Sequence, residues 1–365
     1  MTTPLKISYS SANRFKECPT KYYLAKKYQA VKKPSAFGFG SAIEEGVTEM
    51  ITSRDLSRAI NMFARHWQFE RGSTKNPILD NPDIEYYDSD IALELVANEV
   101  PWANKAKEEL IPDMIASWDS AFKLCQEKVE AKKATLEEAA YMNRIFWYSC
   151  LLRGKLMLQA FYNEVLPTIE DFVYLDGKPM SQYKISMEDA EGNVIEGYID
   201  YVLKLKGFSR PVIIDCKTAG KPYDKHKMVS SDQLKTYAAY LDDVLGPCDT
   251  GYMVLLKAIR FEKSCPECEV PLDFAPQSKK CKVHKVDLER EPFAGTQVLT
   301  HSFSPKELDS VLVDYENIIK AIKSEIEFKN ASQCMNFNRP CEFYDICWKN
   351  KNPEEINTLT IKKGY

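Results

Sequence analysis

Gly197-Tyr198-Ile199-Asp200-Tyr201-Val202 and Val212-Ile213-Ile214-Asp215-Cys216-Lys217 flank a turn at Gly207 to Pro211. Both runs are rich in β-branched and aromatic residues, the pattern of two paired strands. Residues two apart in a strand share a face, so Asp215 and Lys217 point one way and Cys216 the other. Folding back about the turn brings Asp200 level with them, which gathers two carboxylates and a lysine at one end of a sheet. Mg²⁺ is commonly held by one or two carboxylates plus waters and phosphate oxygens. A metal ion can lower the pKa of bound water and stabilise charge on a phosphate under attack. Lys217 can orient or deprotonate that water, or neutralise the phosphate. Taken alone, the two runs also fit a surface hairpin with an Asp–Lys ion pair.

Segments on either side converge on the same pocket. A helix predicted from Ser231 to Val244 sets Gln233 and Tyr237 four apart on one face, beside an apolar stripe of Leu234, Ala238 and Leu241. Upstream, Phe37-Gly38-Phe39-Gly40 reads as a glycine-punctuated turn opening a helix near Ser41, which carries Glu44 on its first turns. By itself Glu44 is a solvated helix acid. Strands are predicted at Asp171–Leu175, Gln182–Met187 and Thr250–Ile259, with a turn at Glu191-Gly192-Asn193. Ser304-Pro305-Lys306-Glu307 has a capping-box pattern, so a helix runs from there to about Phe328. Near the start, Ser10 or Ser11 caps a helix over Ala12–Tyr28, interrupted at Cys18-Pro19. From about Asp55 to Leu166 the chain reads as mainly helical, with a polar loop from Asn76 to Asp88 and breaks at Pro101 and Pro112.

The 365 residues are 44% hydrophobic, enough for a sizeable core. Met1-Thr2-Thr3-Pro4-Leu5-Lys6 lacks an apolar signal segment, and no apolar run approaches the roughly 20 residues of a membrane helix. A cytoplasmic protein with no membrane contact is expected. A net charge of −4 argues against coating nucleic acid through overall basicity. Local basicity is concentrated in the first 36 residues, where Lys6, Arg14, Lys16, Lys21, Lys26, Lys27, Lys32 and Lys33 face the single acid Glu17. Tyr9, Phe15, Tyr22, Tyr23 and Tyr28 are interleaved, and offer either stacking surfaces or core-packed rings.

Eleven cysteines without an export signal point to reduced thiols or metal ligands. Cys265-Pro266-Glu267-Cys268 and Cys281-Lys282-Val283-His284 are close pairs twelve residues apart, the spacing of a small structural zinc site. Zn²⁺ there would stabilise a protruding hairpin too short for its own core. Lys279, Lys280, Lys282 and Lys285 can grip a DNA backbone or simply be solvated. Cys334, Cys341 and Cys347, with six and five residues between them, form a set one ligand short. Cys125, Cys150 and Cys248 read as buried apolar residues or isolated thiols. His66, His226 and His301 have no evident partner set.

Taken in order, Ser8-Tyr9-Ser10 through Phe15, Cys18-Pro19, Tyr22, Gly40 to Glu44, Gly197 to Asp200, Asp215-Cys216-Lys217 and Gln233 to Tyr237 span nearly the whole chain. This series resembles the RecB-like branch of the PD-(D/E)XK nuclease superfamily, which includes AddB-type and CRISPR-adaptation nucleases and many phage recombination exonucleases. The resemblance implies that Asp200 and Asp215 are metal ligands, assisted by the Cys216 carbonyl. Lys217 is then the catalytic lysine, and Gln233 and Tyr237 contact substrate or support the site. Many such proteins carry a histidine ligand where this chain has Glu44, a harder donor suited to Mg²⁺ or Mn²⁺. The same resemblance joins Cys18 to Cys334, Cys341 and Cys347 around a [4Fe-4S] cluster, although four thiolates also suit zinc.

The expected fold is α/β, a restriction-endonuclease-like core whose mixed central sheet is flanked by helices. Its expected parts are an N-terminal piece of the core with the first cluster cysteine (1–50), a helical insertion (51–150), the catalytic core (151–261), the zinc-binding insertion (262–290) and a C-terminal helix with the cysteine cluster (291–365). The expected function is Mg²⁺- or Mn²⁺-dependent cleavage of single- or double-stranded DNA. An exonuclease of recombination, repair or end processing, in a prokaryotic or phage-infected cell, with a helicase or recombination protein as partner, is the specific form. The alternative is a non-cleaving nucleic-acid-binding protein that retains the fold.

Overall fold

The computed structural model describes residues 4–30, 35–67, 150–151, 153–268, 278, 280–336, 339–356 and 359–362. In chain order the strands are β1 (Lys6–Ser8), β2 (Tyr28–Ala30), β3 (Ile169–Phe172), β4 (Tyr174–Leu175), β5 (Lys178–Pro179), β6 (Ser181–Glu188), β7 (Val194–Leu205), β8 (Val212–Ala219), β9 (Asp249–Ser264), β10 (Glu289–His301), β11 (Met335–Asn336), β12 (Arg339–Pro340) and β13 (Leu359–Ile361). The helices are α1 (Tyr9–Glu17), α2 (Pro19–Lys27), α3 (Ser35–Ser53), α4 (Leu56–His66), α5 (Lys225–Val229), α6 (Asp232–Leu245), α7 (Pro305–Lys323) and α8 (Tyr344–Lys349). Residues 153–160 are also helical. The helical insertion expected at 51–150 lies outside the described residues except at its two ends.

β7 organises the sheet, which runs β1-β7-β8-β9-β10 with β3 and β6 also paired to β7. Along one edge of β7 the partner changes. β1 pairs in parallel with Val194 to Glu196, whereas β8 pairs antiparallel only with Tyr201, Val202 and Leu203. The intervening residues, Gly197 to Asp200, therefore border a gap between two neighbouring strands. β9 returns parallel to β8, after a crossover that carries α5 and α6, so the sheet is mixed as expected.

Helices cover both faces. On one, Ile43 and Val47 of α3 and Phe63 of α4 pack with Tyr201, Leu203 and Ile214. On the other, Leu234, Ala238 and Leu241 of α6 pack with Val202, Ile213 and Val254. Leu234 and Leu241 are fully buried, so each contributes about 1.5–3 kcal/mol of transfer free energy. This is the apolar stripe legible in the α6 sequence.

Three expected boundaries move. α3 begins at Ser35 and runs through the glycines expected to form a turn. A glycine in a helix costs about 1 kcal/mol relative to alanine, but Phe39 stacks edge-to-face on Phe63 and Trp67, at 5.8 and 5.4 Å. That packing extends the helix. α1 is capped by Ser8, whose Oγ accepts from Ser11 N, rather than by Ser10 or Ser11; the break at Cys18 is where Pro19 requires it. α7 has the expected capping box, yet it ends at Lys323 because Glu325 adopts a left-handed φ of 54°.

The C-terminal segment clasps the N-terminal helices. Phe15 and Tyr22 are buried against Val311, Tyr315 and Ile319 of α7, and β13 pairs with β2. Asn330 Nδ2 donates to the Glu17 carbonyl at 2.8 Å, and Lys362 Nζ to that of Ala25 at 2.6 Å. Phe15, Tyr22 and Tyr28 are thus core rings rather than stacking surfaces.

Candidate active site

Asp215 and Lys217 sit on β8, between β7 and β9, at the gap in the pairing of β7. The Asp215 side chain is essentially inaccessible, and that of Lys217 is 37% exposed. Asp215 Oδ1 accepts from Lys217 Nζ at 2.7 Å and from Gln233 Nε2 at 3.4 Å. Gln233 Nε2 also donates to the Tyr237 hydroxyl at 2.9 Å, so the α6 face predicted to look at the pocket does so. Gly197 makes room for it, since a Cβ there would lie 3.2 Å from the Tyr237 ring.

Asp200 is placed by a break in strand alternation. Ile199 packs on the α6 face of the sheet and Tyr201 on the α3 face, although residues two apart in a regular strand share a face. Between them the ladder to β8 has ended, and the Cys216 N–H is taken by Asp200 Oδ2 at 2.8 Å. The carboxylate therefore substitutes for a strand carbonyl and is fixed beside Asp215. Cys216 itself packs among the α3-side core residues, on the face opposite Asp215.

Glu44 reaches the same place from α3. Tyr201 Oη donates to the Glu44 carbonyl at 3.0 Å, Thr48 Oγ1 to the same carbonyl at 2.9 Å, and Gln182 Nε2 donates to the Glu44 carboxylate. Gln182 has a left-handed φ of 49°. It stands opposite Asp200 between the pairs Ser181–Tyr201 and Tyr183–Ile199, so both strands depart from regular geometry at one point. Sequence reading missed Gln182, because its only signal is a strand register that no motif announces. Tyr9, the first residue of α1, stood in the quoted Ser8-Tyr9-Ser10 motif without a site role; burial and then the charges of Asp232 and Asp215 raise its phenol above its ordinary pKa.

The electrostatics are those of an acidic pocket that is deeply buried at Asp215 and opens to solvent at Lys217. Burial, opposed by Lys217, pushes the Asp215 carboxyl up to about 7. Burial and then Glu44 push Asp200 up to about 6, and burial likewise raises Glu44. Burial works against the charged form of Lys217, but Asp215 and Asp200 outweigh it and hold the ammonium well above its usual value. Asp215 Oδ2 is buried without a hydrogen-bond partner. A buried, unpaired carboxylate oxygen is costly, and a cation is the partner this one fits. Glu44, Asp200 and Asp215 form an all-oxygen donor set suited to Mg²⁺ or Mn²⁺.

Two cysteine groups lie elsewhere. Cys18, Cys334, Cys341 and Cys347 line one pocket, and all four are free thiols. Asn330 N donates to Cys18 Sγ at 3.5 Å and Trp348 Nε1 to Cys334 Sγ at 3.1 Å. Cys265, Cys268, Cys281 and His284 bring their ligand atoms within 4.8 Å of one another. His226 and His66 are exposed, and His301 stacks on Phe303 at 4.8 Å; none joins the site. Cys248 is buried, as expected, and Cys150 partly so.

A family model described as the PD-(D/E)XK nuclease superfamily matches residues 6–348. The chain belongs to this superfamily. Its mixed sheet flanked by helices is the restriction-endonuclease-like core, and as a PD-(D/E)XK protein it is a metal-dependent nuclease with a nucleic acid as substrate. No curated protein matches the chain. Among the described residues of this PD-(D/E)XK chain, no helix is long and apolar enough to cross a membrane.

Proposed function

We propose that the protein is a RecB-like DNA exonuclease in which Glu44, Asp200, Asp215 and the Cys216 carbonyl hold Mg²⁺ or Mn²⁺. The observation that carries this is the buried Asp215 Oδ2, left without a partner beside Asp200 and Lys217. When bound, the ion supplies a Lewis acid for the scissile phosphate and lowers the pKa of attacking water.

In the metal-free protein Asp215 and Asp200 hold Lys217 as a cation, and in this reading it orients the attacking water and offsets charge growing on the phosphate. Gln233 and Tyr237 hold Asp215 in one orientation, and Gln182 does the same for Glu44. The DNA substrate and cleavage from an end rest on the resemblance of these motifs to RecB-like nucleases. A role in recombination, repair or end processing, with a helicase or recombination protein as partner, rests on the same resemblance.

The reading extends to the four-cysteine pocket. Cys18, Cys334, Cys341 and Cys347 line one pocket where the two ends of the chain meet. A [4Fe-4S] cluster has volume of its own and takes N–H donors to its sulfurs, as Cys18 and Cys334 already have. It would staple the two chain ends beside the nuclease core. The test is incubation of DNA labelled at its 5′ or 3′ end with Mg²⁺ or Mn²⁺. Mononucleotides or short products released progressively from one end support the reading, and internal cuts on a circular substrate oppose it. Tight binding without cleavage would leave a nucleic-acid-binding protein that keeps the fold.

A further inference from the structure

β9 runs parallel to β8 and remains paired to it as far as Leu256, opposite Ala219. It then continues, with β10 as its antiparallel partner, to Ser264. At about 3.4 Å per residue the eight further residues make a two-stranded arm about 27 Å long, whose base stays packed on the α3-side core through Ala294, opposite Ile259. β8 passes through Asp215 and Lys217 in the same direction. The arm therefore leaves the sheet at the end where the candidate active site lies.

Among the described residues the tip of the arm has only a small core. Its buried cluster consists of Cys265, Cys281 and Leu288, with Cys268 and Val286 packed on them. An apolar cluster so small cannot hold a ribbon end by itself. The thiols are not disulfide-bonded, since Cys268 Sγ and Cys281 Sγ are 3.9 Å apart and a disulfide requires about 2.05 Å. His284 Nδ1 lies 3.4 Å from Cys265 Sγ, 3.4 Å from Cys268 Sγ and 3.9 Å from Cys281 Sγ. Zinc–sulfur bonds of about 2.3 Å and zinc–nitrogen bonds of about 2.0–2.1 Å give a tetrahedron with S–S edges of about 3.8 Å and S–N edges of about 3.6 Å. The four separations have the size of those edges. The turns match as well: Cys268 N donates to the Cys265 carbonyl at 3.1 Å and Lys285 N to the Cys281 carbonyl at 3.0 Å, and the N–H groups of Val283 and His284 are directed at the Cys281 sulfur.

The two knuckles differ in charge. The first carries Glu267, whereas the second carries Lys280, Lys282 and Lys285 with no acid before Asp287. Lys282, Val283 and Lys285 are exposed. Among the described residues, Lys280 is paired with Asp287 at 3.7 Å and Lys285 Nζ donates to the Lys282 carbonyl at 2.5 Å, so Lys282 and Lys285 are the exposed cations of the second knuckle without an acidic partner.

We propose that Cys265, Cys268, Cys281 and His284 hold one structural zinc ion that makes the end of the β9–β10 arm a rigid nucleic-acid clamp. Lys282 and Lys285 bind the phosphate backbone of the substrate beyond the cleavage site. The clamp rests on the nuclease reading, whereas the zinc site stands without it. A single ion, not an iron–sulfur cluster, fits edges this short, and the metal is structural because all four positions are filled by protein.

Metal content of the purified full-length protein tests the first half. About one zinc per chain is expected, lost in Cys281→Ser with iron unchanged; zinc retained in that variant, or iron lost with it, overturns the site. Should Cys281→Ser fold poorly, titration of wild type with a mercurial reagent is decisive, because zinc must be released in step with modification of these thiols. For the clamp, Lys282→Glu/Lys285→Glu is measured for binding to duplex DNA in an Asp215→Asn background without Mg²⁺. The double variant should keep its zinc, bind at least about tenfold more weakly and lose roughly 2 from the slope of log affinity against log salt. Unchanged affinity and slope overturn the clamp. Failure of wild type to cleave DNA would sink the nuclease reading while leaving the zinc result intact.

Discussion

Lys217 Nζ donates to Asp215 Oδ1 at 2.7 Å while Asp215 Oδ2 stays buried and unpartnered. One lysine thus satisfies half of a carboxylate and leaves the other half beside Asp200. The pair is built to accept a second cation.

Metal affinity should follow the raised carboxyl pKa values. With Asp215 near 7 and Asp200 near 6, protons compete with the ion below neutrality. The apparent Kd for Mg²⁺ by calorimetry should rise about tenfold per pH unit below about 7, and more steeply below about 6. A Kd flat across this range would contradict the shifts. In the metal-free protein these raised values contribute stability that is fully present below the unfolded pKa near 3.9 and lost as pH rises through about 6 and then about 7. Thermal melts in a chelator should therefore show the stabilisation by Asp215→Asn relative to wild type growing across that window.

Gln182 should matter to metal binding more than to folding. Gln182→Ala removes the donor to Glu44, and loss of such an outer partner typically costs about 10–100-fold in metal affinity. Calorimetry with Mn²⁺ reads this directly, and wild-type affinity in Gln182→Ala would remove Gln182 from the site.

Gly197→Ala tests the packing under the site. Its Cβ would stand 3.2 Å from Tyr237 Cε1, so Tyr237 must shift and the Gln233–Tyr237 bond with it. Overpacking of this kind costs about 1–3 kcal/mol. A denaturant titration should show that loss, with kcat reduced more than KM is raised; unchanged stability would mean that the ring has room to move.

The terminal clasp gives a separate outcome. Replacing Cys334 by serine should abolish the broad absorbance near 400 nm of an iron–sulfur protein and lower Tm, since the Cys18 pocket joins α1 and α2 to residues beyond α7. A colourless wild type containing zinc at these four cysteines would instead assign them to that metal.

Much of this arrangement is legible in the sequence because it is carried by period. The apolar alternation of β7 and β8 and the stripe on α6 fix which faces are buried, and Gln233 and Tyr237 follow from a spacing of four. Asp200 and Gln182 are not legible in the same way. Their geometry comes from the simultaneous end of the β7–β8 ladder and the left-handed backbone at Gln182, which break the period that sequence reading relies on. The helical course of α3 through Gly38 and Gly40 was hidden for the opposite reason, since local propensity favours a turn and tertiary packing around Phe39 overrides it. The spacing of Cys265, Cys268, Cys281 and His284 was legible because turn geometry is local.

The central claim is that Asp215 and Lys217 form the working pair of a metal-dependent nuclease. Cleavage of end-labelled DNA with Mg²⁺ or Mn²⁺ by wild type, Asp215→Ala and Lys217→Ala measures it most directly. Wild type should cut, and each variant should lose at least about 10²–10⁴-fold in rate while still binding DNA. Cleavage that persists in both variants at the wild-type rate would contradict the assignment.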